Sequence, residues 1–143
     1  MVDRDVVTAK LAVIDRCIAR IEEVQHERRT ELKPVDVDDI TALNLQRAVQ
    51  AAVDLATHVV SAEGYGTLSS TADAFTMLEG RGVIEADLAG RLRKMVGFRN
   101  IAIHDYQALD PDIVEGIVDR HLGDLRALGA RIVEAFRLGE DLS

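Results

Sequence analysis

The sequence predicts an all-α fold. Apolar residues recur at three- and four-residue steps in stretch after stretch, the spacing of one buried face on a helix of about 3.6 residues per turn. Apolar residues make up 48% of the chain, yet there are only three phenylalanines, two tyrosines and no tryptophan. A core of alanine, valine, leucine and isoleucine suits helices packed closely through small side chains. Two prolines and few alternating β-branched runs leave strands little support. At 143 residues the chain has the length of one ordinary domain, and residues 1–143 are read as a single helical domain.

The first helix is expected from Asp5 to Glu31, where Val7, Leu11, Ile14, Ile18 and Ile21 form a heptad-like seam widened by Val6, Val13, Cys17 and Val24. Pro34 ends this element or blocks its extension. The second runs from Asp38 or Asp39, either able to cap the first turn, to Ser61, with Leu45, Val49, Ala52, Ala56 and Val59 as its seam. Gly64 and Gly66 mark a loop, and Ser70 with Asp73 resembles a capping box opening a brief helix to Leu78. Gly80 and Gly82 stop that helix in left-handed C-cap geometry. A fourth helix runs from Glu85 to Ile103. Asp110-Pro111-Asp112, a cap followed by proline at the first position, starts a last helix to Leu138 whose stripe is Ile117, Leu125, Leu128 and Ile132. His121 falls in that stripe and reads as a core histidine, and His26, among charges, as a solvated one.

One cysteine, Cys17, excludes an internal disulfide framework and fits a reducing compartment; its apolar neighbours indicate buried packing. The N-terminus lacks the charged-then-apolar order of a signal peptide, and no apolar run approaches the roughly 18 residues of a membrane span, so a cytoplasmic location is expected. A net charge of −8 is the wrong sign for bulk attraction to nucleic acid. The stretch Leu88–His104 departs from that average: it holds Arg91, Arg93, Lys94 and Arg99 and no acidic residue. No phosphate-binding glycine loop or Cys/His metal spacing occurs, and no cofactor is expected.

Two rows carry polar side chains on apolar helices. Gln46, Gln50, Asp54 and His58 are spaced by four and form either a solvent-facing ladder or one wall of a cleft. The other row is Gly97-Phe98-Arg99-Asn100-Ile101-Ala102-Ile103-His104-Asp105-Tyr106. Leu88, Leu92, Met95, Val96, Ala102 and Ile103 define the stripe of its helix, and Arg99 falls inside it. Tyr106, seven positions on, returns to nearly the same direction. A guanidinium is rarely buried without a partner, so this stripe points to an interface or cleft. His104 lies about 140° around an unbroken helix from Arg99. Either the helix ends between them, or the same stretch of a second chain completes the site across a two-fold axis.

Arg99, four residues, His104, one residue and Tyr106 match the R-x4-H-x-Y pattern of the HEPN superfamily, and Lys94-Met95-Val96-Gly97-Phe98-Arg99-Asn100 resembles its HepT-like toxin branch. The resemblance extends to Asn44–Asp54 with His58, to Ala74-Phe75 and to Gly82-Val83-Ile84. Relatives often carry a proline in the connector Gly64–Ser70, where this chain has none. The resemblance implies an antiparallel bundle of four to five helices that forms a homodimer through the motif helices. It also implies a metal-independent ribonuclease, the toxin of a type VII toxin–antitoxin pair. Arg99 and His104 would be catalytic, Asn100 would orient the RNA substrate or the histidine, and no metal would be bound. Tyr106 would accept adenylate from a MntA-like nucleotidyltransferase antitoxin, which silences the toxin. A histidine exchanges protons near neutrality and an arginine holds phosphate bidentately, so the residue types suit the chemistry. Two readings compete with this one: Tyr106 as a merely amphipathic helix-end residue, and the chain as a catalytically silent helical dimer that binds a nucleotidyltransferase.

Overall fold

The computed structural model describes residues 1–27 and 32–139. The described chain forms α1 (Arg4–Glu27), α2 (Pro34–Ala62), α3 (Asp73–Gly80), α4 (Ala86–His104), a 3₁₀ turn (Tyr106–Ala108), α5 (Pro111–Arg120) and α6 (Leu122–Ala135), with no strand. The expected end of the first helix at Glu31 lies outside the described residues.

Cross-links between helices fix their directions. The Met1 ammonium donates to the Ala62 carbonyl at 2.8 Å, the Asp3 amide to His58 Nε2 at 2.9 Å, and Lys10 Nζ to Asp54 Oδ2 at 3.1 Å. Near the other end Gln25 Nε2 donates to Thr41 Oγ1 at 3.1 Å. One partner's number rises as the other's falls, so α1 and α2 are antiparallel. Arg131 with Glu85 at 2.7 Å and Arg91 with Asp124 at 3.0 Å set α6 antiparallel to α4 in the same way. α6 also packs on α1, and a Cβ at Gly129 would clash with the Leu11 side chain; the glycine permits that approach. Helices α1, α2, α4 and α6 thus enclose one core, with α3 laid against α2 and α4.

That core joins Ile14, Ile18 and Ile21 of α1, Leu45, Val49, Leu55 and Val59 of α2, Phe75 and Leu78 of α3, Leu92 of α4, and Leu125, Leu128 and Ile132 of α6. Buried Ala48, Ala52 and Ala56 keep the α2 backbone close to its neighbours. Cys17 is buried as expected, and desolvation pushes its thiol above its ordinary pKa despite Arg47 and Arg16 nearby.

Several boundaries differ from expectation. Pro34 does not simply close the first helix; it opens the second, because its missing N–H falls among the first-turn donors that lack a helical partner anyway. The cap position belongs to Lys33, and Asp38 and Asp39 lie within α2, beyond its first turn. The Ser70–Asp73 pair makes the acid's half of the expected capping box, with the helix itself starting later, at Asp73. Asp73 Oδ2 accepts the Ser69 and Ser70 amides at 2.9 and 3.1 Å and a very short bond from the Ser69 hydroxyl. Those bonds, chiefly the hydroxyl's, hold the Asp73 carboxyl below its ordinary pKa. Gly80 stays helical, and the left-handed residue is Gly82 at φ +74°. The expected last helix is two: α5 ends at Arg120 and α6 begins at Leu122. His121 at the break is half-exposed, with Nδ1 3.1 Å from Asp124 Oδ2, and is not a core histidine. The kink turns α6 into the bundle and leaves α5 outside it.

Candidate active site

Helix α4 carries Arg99, Asn100 and His104 and stays helical through His104. The last amide of this run, from Asp105, donates to the Ile101 carbonyl at 2.8 Å, and the chain leaves the helix at Asp105 with φ −154° and ψ 70°. An end between Arg99 and His104 is thereby excluded. The two side chains leave one helix about 140° apart and do not converge within one chain.

The buried face of α4 consists of Leu88, Ala89, Leu92, Met95, Val96, Phe98 and Ala102. Ile103, expected in that stripe, is instead 44% exposed, and its neighbour Ile101 is 42% exposed. The final turn of α4 extends past the core, so the apolar periodicity continues there with none of the described residues covering it. Arg99 is half-buried and His104 exposed. Arg99 Nη1 donates to Asn100 Oδ1 at 3.0 Å, while Arg99 Nε is buried with no hydrogen-bond partner among the described residues. A buried donor left unmade costs about 1–3 kcal/mol, more when charged. The guanidinium is therefore poised to gain from an arriving anion.

The basic stretch around it is less available than its composition implied. Arg91 is engaged by Asp124, and Arg93 by Glu79 at 3.3 Å. No carboxylate among the described residues pairs with Lys94 or Arg99.

The row on α2 proves to be part of the fold. Gln50 Nε2 donates to Asp54 Oδ1 at 2.8 Å, Asp54 also holds Lys10, and His58 accepts the Asp3 amide. Through Lys10 and the Asp3 amide these side chains tie α1 to α2. Among the described residues no group of three or more His, Cys, Asp and Glu is placed to hold a metal ion.

Tyr106 opens the 3₁₀ turn and is 47% exposed. Its hydroxyl donates to Asp39 Oδ1 on α2 at 2.7 Å, and not to Arg99 or His104. The contact lies on a cavity of about 330 Å³ between α2 and α5, whose lining includes Asp38, Asp39, Glu115 and Asp119. The hydrogen bond to Asp39 first, then desolvation and the Asp39 and Asp38 charges, push the phenol up to about 12. Sequence reasoning missed this role of Asp39. The only pointer was an acidic pair near a helix start, which reads equally well as a cap.

A family model described as Ribonuclease HepT-like matches residues 14–132. The chain is 41% identical over 120 residues to an mRNA nuclease HepT of Shewanella oneidensis, covering 84% of this chain and 90% of that protein. A solved structure of a tri-AMPylated Shewanella oneidensis HEPN toxin in complex with MNT antitoxin is similar at TM-score 0.81 and 38% identity, over 90% of this chain and 96% of that one. A toxin–antitoxin structure with AMP-PNP is similar at TM-score 0.81 and 37% identity, over 90% and 97% of the two chains. With the motif in place on α4 and the match running across nearly the whole bundle, the chain belongs to the HepT-like ribonuclease family.

Proposed function

We propose that this chain, as one helical domain over residues 1–143, is the toxin of a type VII toxin–antitoxin pair: a metal-independent RNA endonuclease of the cytoplasm, silenced by adenylylation. The observation that carries the reading is the buried, unpartnered Nε of Arg99 on the same helix as an exposed histidine. Among the described residues no helix is long and apolar enough to cross a membrane.

Attack of a ribose 2′-hydroxyl on the adjacent phosphate needs a base for its proton, an acid for the leaving oxygen and positive charge on the phosphorane. His104 serves the proton transfers and Arg99 holds the phosphate oxygens, with Asn100, bonded to Arg99, orienting the guanidinium and the substrate. A single imidazole cannot be base and acid at once. Two copies of α4 across a two-fold axis supply two histidines and two arginines. That pairing also covers the bare apolar end formed by Ile101 and Ile103.

Tyr106 is the acceptor for adenylate from a MntA-like nucleotidyltransferase, the control implied by the tri-AMPylated relative. An adenylate placed two residues beyond His104 adds bulk and negative charge beside the phosphate-holding groups, and so competes with RNA.

The test is total cellular RNA incubated in EDTA with the purified chain, before and after treatment with the nucleotidyltransferase and ATP. Cleavage before treatment and loss after it are expected. Absence of cleavage before treatment would instead make the chain a silent dimer that binds the nucleotidyltransferase.

A further inference from the structure

We infer that Asp39 is the proton acceptor for adenylylation of Tyr106. The inference rests on the reading of Tyr106 as the modified residue and adds the group that activates it. When the Tyr106 oxygen attacks the α-phosphorus of a nucleoside triphosphate, a phenolic O–P bond forms and the bond to the β-phosphate oxygen breaks. Pyrophosphate leaves, and the phenolic proton must go elsewhere. Asp39 Oδ1 already receives that proton in a hydrogen bond of 2.7 Å. It comes from a different helix, so the contact is a product of the fold and not of local sequence.

The electrostatics make an acceptor necessary. With the phenol pushed up to about 12, the phenolate is vanishingly scarce at neutral pH, and the proton has to be taken as the O–P bond forms. The charges acting on the hydroxyl are those of Asp39 and Asp38 from α2; among the described residues the cavity beside it is also lined by Glu115 and Asp119 from α5 and the neutral Gln25 from α1. Among the described residues no lysine, arginine or histidine lines that cavity, and of the carboxylates there Asp39 alone is bonded to the hydroxyl. Transfer also ends the contact: the donor is gone, and the new phosphodiester carries a negative charge into a cavity lined by four carboxylates. The modified side chain is thereby driven out of it.

The experiment follows adenylate mass on the purified full-length chain mixed with its nucleotidyltransferase and ATP, comparing initial rates of wild type, Asp39→Asn and Asp39→Glu. Asparagine keeps an oxygen beside the hydroxyl but cannot take its proton. We expect Asp39→Asn to be slower by about 100-fold near pH 7, with the gap to wild type narrowing as pH rises toward about 10 and the phenol ionises unaided. Any titration of the nucleotidyltransferase cancels in that ratio. Asp39→Glu, retaining a carboxylate, should recover a substantial part of the rate. A wild-type rate for Asp39→Asn, or a deficit of the same factor at every pH, would overturn the inference and leave Asp39 a structural partner. A wild-type chain that gains no adenylate on Tyr106 would instead overturn the underlying reading, whatever Asp39 does.

Discussion

Two rows of polar side chains on apolar helices look alike in the sequence, and the fold treats them oppositely. On α2, Gln50 is bonded to Asp54, Asp54 to Lys10 and His58 to the Asp3 amide, so these side chains are engaged in joining α1 to α2. Arg99 and His104 on α4 are left over: one nitrogen is buried without a partner, and the imidazole is exposed. The difference supports the proposed site more directly than residue type does. Polar groups the fold leaves unsatisfied are the ones available to a substrate.

The contrast predicts unequal responses to mutation. Removing His104 should have the largest effect on function, with RNA cleavage by His104→Ala reduced by about 100-fold or more and no change in thermal unfolding, because the side chain is exposed. Charging the bare end of α4 should come next. Ile103→Asp should shift light scattering from dimer toward monomer at micromolar concentration and lower cleavage with it, while helicity by circular dichroism is unchanged. A persistent dimer with full activity would place the interface elsewhere.

A subtler test separates function from stability at one residue. Arg99→Met keeps most of the side chain's volume and removes the orphaned donor, so cleavage should collapse while the denaturant midpoint stays the same or rises slightly. On the α2 row the pattern should invert: Asp54→Ala should leave cleavage intact and cost about 1 kcal/mol of stability, the modest value suited to a half-exposed pair with Lys10. Loss of cleavage in Asp54→Ala would erase the distinction between the rows.

The Tyr106–Asp39 contact gives the smallest effect, read through pH. Folding raises the phenol's pKa from its ordinary 10.0 to about 12, so the folded state keeps this proton longer than the unfolded chain. The contribution is complete below about pH 10 and is lost as pH rises through about 12. Phenolate absorbance should therefore show a late step that Tyr106→Phe removes. The same variant should stay folded and dimeric, keep at least part of its cleavage activity, and gain no adenylate mass.

The bundle was legible because its seams obey one period: Ile14, Ile18 and Ile21, Leu45 and Val49, and Leu125, Leu128 and Ile132 are all buried where spacing put them. The break at His121 was not, since no proline marks it, Gly123 beyond it stays within α6, and the turn follows from how α6 enters the bundle. The end of α4 misled for a related reason, its periodicity running on through Ile103 after the core had stopped. Arg99, Asn100, His104 and Tyr106 were named by spacing and resemblance. Asp39 could not be, because it reaches Tyr106 across 67 positions of sequence.

The central claim is that the groups the fold leaves unpaired on α4 form the catalytic centre, and it is tested most directly by single-turnover RNA cleavage in EDTA. Wild type, Arg99→Met, His104→Ala and Asp54→Ala should be compared at matched dimer concentration. Arg99→Met and His104→Ala should each lose about 100-fold or more, with Asp54→Ala within about twofold of wild type. Cleavage at the wild-type rate by His104→Ala would contradict the account.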